Sequence, residues 1–560
     1  MIVDDKKWLE QFKKSINFHS LEERPIAYFC AEYALSADLF LYAGGLGILA
    51  GDYVRECGDQ GIPLVAVGIY YTRGFTHKEL SIEGKVVNLH HERGVVEVGL
   101  KTVTNKKGEV ITITVPMSDK KVIVRAWVFE YKTVKVYLLD TKSNQNGEQD
   151  QHITDTLYST DKEIRLKQEM VLGIGGLRLL EKLGIHPSHY HLNEGHSAFL
   201  IYELIHHEMR EHELSFEDAR EHVRERVLFT NHTLVAAGND IFSNDLVALQ
   251  LSEYAKEIQI PVKRLVDMGL VQQSSSFSMT MLAMRSAGKV NAVSKLHSMK
   301  AKEIWADHPM FPITNGIHLP TWDQVGEKDI WNVHKENKRK LIRIIKEQTR
   351  TIWDEKTIIL GWARRMVKYK RPLAIVERLK QFKELATNEQ RPIHVVFAGL
   401  VHPEDDDGRE ALEELQYRLT SDLKEVAIYL PHYDMDLAKF MTAGCDVWIN
   451  TPVVGFEACG TSGMKAALNG VLPMSTRDGW MDEVEMLGLG WALRDSDLTE
   501  QMLETLKDKI LPLYYQRDQA GIPQNWVKMM RNARELIRNE FSMTRALKQY
   551  LTEGMGIKID

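Results

Sequence analysis

Cysteine is scarce: four residues in 560, at positions 30, 57, 445 and 459, no two at the spacing of a metal site or a disulfide framework. This excludes a stapled scaffold and a thiolate zinc centre, and it fits a reducing compartment, so a cytoplasmic protein is expected. Long apolar runs are missing too. No stretch reaches the roughly 20 residues of a membrane span, and the opening MIVDDKKWLEQFKK is charged and lacks the apolar core of an export signal. No membrane association is expected. A basic excess is also absent. Lys and Arg total 71 against 78 Asp and Glu, a net charge of -7, the wrong sign for a nucleic-acid surface. What is present, 44% hydrophobic and 27% charged residues without repeats or low-complexity tracts, describes a globular chain too long for one ordinary core.

Short apolar strands alternate with amphipathic helices, the mark of parallel α/β units. The expected strands are Ile26 to Cys30, Pro63 to Ile69, His189 to Leu192, Val227 to Asn231 and Val290 to Val293, then Ile358 to Trp362, Ile393 to Ala398, Val426 to Leu430 and Val447 to Ile449. Each group can close its own open sheet, which predicts two Rossmann-like domains, 1–325 and 326–560, with a hinge in Pro320 to Lys340. Between about 76 and 141 the texture turns to alternating β-type residues with Gly and Lys-Lys turns, read as an antiparallel β insertion in the first domain. A terminal helical stretch from Trp526 to Tyr550 is expected to pack back on that domain. Open α/β sheets bind ligands beyond the carboxyl ends of their strands.

Near the C-terminus, EACGTSGMKAALNG (Glu457 to Gly470) follows the strand-like CDVWIN and runs from a Gly/Thr/Ser turn into a helix carrying Lys465 on its first turn. Such a turn offers N–H groups to an anion, here at Gly460, Thr461 and Ser462, with a lysine that either pairs with it or reacts with an aldehyde. On spacing alone, a solvated lysine at a Gly-rich helix start is the commoner outcome, and the segment is not a Walker A loop. Gly44, Gly45 and Gly47 nominally spell a dinucleotide fingerprint, but about ten residues part them from the preceding strand, too many for a Rossmann first turn. His207-Glu208 and His212 miss the zincin spacing by one residue, so no metal site is expected. His196 and His232 follow apolar strands and are either core histidines or site residues. Arg364, Arg365 and Lys370 place three cations in seven residues, which repel unless an anion lies among them.

Six segments in order, AEYALSADLFLYAGGLGILAGD, HLNEGHSAF, FTNHTLVAAGND, NAVSKLHS, TNGIHLPTW and RRMVKYKRP, together with GTSGMK, resemble the α-glucan (glycogen, starch, maltodextrin) phosphorylases over about Pro25 to Trp480. The resemblance implies a GT-B architecture, two Rossmann-like domains facing across a cleft. It implies pyridoxal 5'-phosphate held by Lys465 as a Schiff base, with Gly460, Thr461, Ser462, Arg364 and Tyr433 at the cofactor. Gly44, Gly45 and Leu46 would give backbone N–H groups to the substrate phosphate, which Arg365 and Lys370 grip. His232 would lie against the transferred glucose, with Glu194 and His196 lining its pocket, Asn315 at the 6-hydroxyl and Glu457 accepting from glucose hydroxyls.

The implied activity is reversible phosphorolysis of an α-1,4-glucan or maltodextrin end by inorganic phosphate to α-glucose 1-phosphate with retention, in a chain expected to form a homodimer. No pair of protein carboxylates is evident to run it. Substrate phosphate would supply proton and nucleophile, the cofactor phosphate exchanging a proton with it, so His232, Arg365, Lys370 and Lys465 form the catalytic set. Three residues depart from the family pattern: Ala43, Val367 for the histidine of animal-type enzymes, and Cys459 for serine. The chain is much shorter than the animal and plant enzymes, so their N-terminal regulation is not expected, and shorter glucans are favoured. The rivals are a sugar-nucleotide glucosyltransferase of the synthase kind, which needs no Schiff-base lysine, and a glucan-binding relative without turnover.

Overall fold

The computed structural model describes residues 2–75, 77–81, 85–89, 98–234, 239–271, 274–402 and 404–559. Residues 76, 82–84 and 90–97 of the expected β insertion, and 235–238 of the FTNHTLVAAGND segment, lie outside them. The chain divides into two compact units, each described by itself. The first comprises Val3–Phe75, His90–Thr314 and Thr544–Asp560, the second Met1–Ile2, Thr76–Leu89 and Asn315–Met543.

In the first unit, β1 (Ile26–Cys30) and β2 (Leu64–Ile69) start the sheet. The hairpin β3 (His77–Leu80) and β4 (Val86–Leu89) belongs to the second unit. The first unit continues with β5 (Lys101–Thr102), β6 (Thr112–Met117), β7 (Lys120–Tyr131), β8 (Val134–Asp140), β9 (His189–Asn193) and β10 (Val227–Asn231). After the small hairpin β11 (Ile241–Ser243) and β12 (Ser276–Ser278) come β13 (Lys289–Ala292) and β14 (Phe311–Pro312). The order is β14-β13-β10-β9-β1-β2-β8-β7-β5, parallel from β14 to β8, with Ile26 level with both His189 and Leu64. β7 turns antiparallel against β8, β5 and β6. β1 and β2 are buried at every residue, as strands covered on both faces are, which is why they read as unbroken apolar runs and not as alternation.

The second unit is built on one parallel sheet, β17-β16-β15-β18-β19-β20, from β15 (Ile358–Ala363), β16 (Ile393–Ala398), β17 (Ala427–Leu430), β18 (Val447–Asn450), β19 (Leu472–Thr476) and β20 (Trp491–Leu493). Its core joins Ile359, Val396, Leu430 and Trp448 of the sheet to Leu341 and Ile345 of the helix Ile330–Thr349. Mixed α/β architecture on parallel sheets is therefore the fold class.

The terminal helix differs from the expectation. It runs from Gln524 to Glu540, breaks, and restarts at Met543. At the break the Ile317 N–H donates to the Phe541 carbonyl (3.0 Å) and the Met543 N–H to the Ile317 carbonyl (2.8 Å), while a Cβ on Gly316 would stand 2.5 Å from the Ser542 carbonyl oxygen. The Phe541 N–H still closes the helix on the Ile537 carbonyl (3.0 Å), but the Phe541 carbonyl and the Met543 N–H are spent on this neighbour.

Candidate active site

Strand ends and helix starts carry the sequence-named residues in both units. In the first, β9 passes directly into Glu194, whose φ of +72° and ψ of 170° fall in a region open almost only to glycine. Its buried carboxyl accepts the His232 N–H at 2.8 Å and lies 3.4 Å from the Gly195 N–H. Burial pushes its pKa up to about 8 against those hydrogen bonds, and the charge of Asp240 adds to the rise, so the group is mostly protonated at neutral pH. His232 follows β10 and donates its Nε2–H to Asn193 Oδ1 at 2.5 Å; burial, with three neighbouring histidines, holds its pKa down at about 3, so the ring is neutral. His196 Nε2 stands 3.3 Å from Asp240 Oδ2, itself gripped by Arg165 at 2.8 Å.

The glycine turn heads the 16-residue helix Gly45–Gln60. Its first two amides are already engaged: Ala43 and Gly44 donate to Glu32 Oε2 at 2.7 and 3.2 Å. Glu32 Oε1 in turn accepts the Tyr158 hydroxyl, and the Arg165 guanidinium lies 4.5 Å over the Tyr158 ring. Gly45 is exposed and Leu46 half-buried.

In the second unit, Arg364 follows β15. Its guanidinium is buried, donates to Asn450 Oδ1 at the end of β18, and reaches Ser462 Oγ at 3.5 Å; Trp448 Nε1 donates to the same Oγ at 3.2 Å. Arg364 Nε is buried and has no hydrogen-bond partner among the described residues. Lys465 lies on the first turn of the helix Ser462–Leu468, 5% exposed, its Nζ 4.0 Å from the centre of the Trp322 ring. Lys370 Nζ pairs with Glu457 Oε2 at 3.1 Å. Burial depresses the lysine, with Glu457 opposing and Arg364 and Arg365 reinforcing. Burial raises the carboxyl, but Lys370 and Arg364 outweigh it and hold Glu457 below the usual range. Arg365 is exposed and makes no hydrogen bond or ion pair with any described residue. The Tyr433 phenol is pushed up by burial while the nearby Arg364 pulls it down.

Residues 315–488 match the family model of the carbohydrate phosphorylases. The chain is 35% identical to a maltodextrin phosphorylase of Thermococcus litoralis, the match covering 96% of this chain and 71% of that one. It is 32% identical to a glycogen phosphorylase of Aquifex aeolicus (97% and 88% covered) and 31% identical to one of Mycobacterium tuberculosis (94% and 70%). The chain belongs to the carbohydrate phosphorylase family.

Within this phosphorylase chain, the sequence-named residues fall into two groups. Gly44, Gly45, Leu46, Glu194, His196 and His232 are in the first unit; Arg364, Arg365, Lys370, Tyr433, Glu457, Gly460, Thr461, Ser462 and Lys465 are in the second. Asn315 joins the second group: its Nδ2 donates to the Cys459 carbonyl at 3.1 Å, at the start of the lysine turn. Among the described residues no cluster of His, Cys, Asp and Glu could hold a metal ion.

Sequence reasoning missed Glu32, Tyr158, Arg165 and Asp240, which meet from four separate segments, and Asp478. The Asp478 carboxylate accepts the Glu457 N–H at 2.9 Å, and burial raises its pKa to about 7. Glu32 and Asp240 lay inside quoted motifs, at the start of AEYALSADLFLYAGGLGILAGD and the end of FTNHTLVAAGND.

Proposed function

We propose that this chain is an α-1,4-glucan phosphorylase, converting a glucan or maltodextrin end and inorganic phosphate to α-glucose 1-phosphate, and the reverse, with pyridoxal 5'-phosphate as cofactor. The GT-B plan, the division into a sugar-side and a cofactor-side domain, the β insertion, a homodimer and a cytoplasmic location belong to the same reading. The observation that carries it is Lys465, a buried amine on a Gly/Thr/Ser turn, next to a buried guanidinium with one nitrogen unpartnered.

The residues fit the cofactor. An amine suits its aldehyde; Arg364 with the N–H groups of Gly460, Thr461 and Ser462 suits its phosphate, and Tyr433 adds a phenol. When bound, the cofactor supplies a second phosphate group able to exchange a proton with the substrate phosphate. The chain does the rest. Lys370 and Arg365 give that phosphate its counter-charge, a preorganised term of the kind that dominates many transition states. Lys370 is held ready by Glu457, whose carboxylate also has an oxygen for sugar hydroxyls. In the first unit Gly45 and Leu46 present the amides that Glu32 does not occupy. Neutral His232 holds a sugar hydroxyl, and its N–H is fixed by Glu194.

The test is an absorbance and fluorescence spectrum of the purified protein before and after borohydride, beside Lys465→Ala, with glucose 1-phosphate release from maltodextrin and phosphate measured in parallel. A pyridoxal band that borohydride fixes to the wild type, absent from the variant, is the expected result. A protein that stays colourless after added pyridoxal phosphate and releases no glucose 1-phosphate refutes the proposal.

A further inference from the structure

The β3–β4 hairpin comes from the first hundred residues yet belongs to the unit that carries Lys465. It packs through β3 on the helix Asp406–Ser421, and the Leu80 backbone meets the Tyr429 side chain of β17. Between these contacts sits Glu79, a carboxylate with 0% exposure. Burying that charge is costly unless it holds something. It holds His432: Oε2 accepts the His432 backbone N–H at 2.7 Å, and Oε1 lies 2.9 Å from Nδ1. His432 has a φ of +58°, a left-handed conformation that side chains disfavour, so an external restraint has work to do there. Two residues on, Asp434 caps the helix Met435–Gly444 by accepting the Leu437 N–H at 2.8 Å. The turn is thus pinned at 432 and 434, and the residue between them is Tyr433.

We propose that Glu79 is a positioning residue for the cofactor phosphate: by locking His432 it sets Tyr433 beside Arg364, so that the β3–β4 hairpin completes the anion pocket of the lysine-bearing unit. This rests on the reading that Arg364 and Tyr433 flank that phosphate.

The test titrates cofactor-stripped protein with pyridoxal 5'-phosphate and, separately, with pyridoxal, which lacks the phosphate, following absorbance. Wild type, Glu79→Ala, Glu79→Gln, Tyr433→Phe and the Glu79→Ala/Tyr433→Phe double variant are compared, with a thermal unfolding curve of each. Glu79→Ala should weaken pyridoxal phosphate at least about fivefold and leave pyridoxal unchanged, and in the Tyr433→Phe background it should add nothing. Glu79→Gln keeps an acceptor for the His432 N–H and should restore most of the affinity. An equal loss for both ligands, or full multiplication of the two single effects, overturns the proposal. Should Glu79→Ala not fold, Glu79→Gln decides alone: a small loss confined to pyridoxal phosphate supports the proposal, and no loss or an equal loss for pyridoxal refutes it. A wild type that binds neither ligand refutes the cofactor reading itself, a failure separate from a wild type that binds both while the variants match it.

Discussion

Glu194→Gln tests whether a proton is stored at the buried carboxyl beyond β9. The folded carboxyl has a pKa near 8 against 4.5 for the free side chain, with burial the largest cause. Between those values the unfolded chain has lost the proton and the folded chain keeps it. The folded state binds more protons, so stability falls as pH rises through this window. At 1.36 kcal/mol per unit, the full span amounts to about 5 kcal/mol, felt fully only at pH 8 and above. Gln is neutral at every pH, keeps an oxygen for the His232 N–H and has the same shape. The variant should match wild type at pH 5 and exceed it increasingly toward pH 8.

A chain of two units need not unfold in one step, so the measured quantity is the difference in unfolding temperature between the two proteins at each pH, not an absolute free energy. Infrared spectroscopy gives an independent reading. The wild-type minus variant spectrum should contain the carbonyl band of a protonated carboxylic acid at pH 6, fading with a midpoint near 8. A stability difference flat from pH 5 to 8, with no such band, would refute the assignment and leave Glu194 an ordinary carboxylate.

Lys370→Met leaves Glu457, in a pair that is only half-buried, beside a weaker field of cations. The KM for phosphate should rise at least about tenfold, more than the KM for maltodextrin; equal changes in both would mean that the lysine serves the fold alone. Gly51→Ala sets two effects against each other. Helix propensity favours alanine by about 1 kcal/mol, but the new Cβ would stand 2.3 Å from the Ala34 carbonyl oxygen, which also accepts from Arg55. Overpacking at about 1–3 kcal/mol should win, lowering the unfolding temperature by a few degrees; an unchanged or raised temperature would show that the segment yields.

The sheets were legible because strands buried on both faces are apolar without interruption, and each of the nine strands expected from the sequence is a strand. Those that escaped have physical reasons. β19 contains Pro473, which removes a ladder donor and argues against an inner strand, yet β19 lies between β18 and β20. β14 and β20 are too short for a pattern. The terminal helix keeps its periodicity past Glu540, and the break at 541–543 comes from Ile317, more than two hundred residues earlier.

The site divides along the same line. Lys465, Ser462, Thr461, Gly460 and Glu457 sit within nine residues of each other in a strand–turn–helix, so local grammar finds them. The first unit has no such economy. Its glycine turn is held by Glu32, Glu32 by Tyr158, the Tyr158 ring lies under Arg165, and Arg165 grips Asp240 beside His196. Every link in that series joins a different segment, and each residue taken singly is an ordinary polar side chain. What makes them a unit is burial: Glu32, Arg165 and His196 are buried, and Asp240 half-buried against them, in a space where a lone charge would be costly, so each must find a partner from wherever the sheet brings one. Sequence spacing encodes the glycine turn, and only the fold encodes the internal carboxylate that has already taken two of its amides.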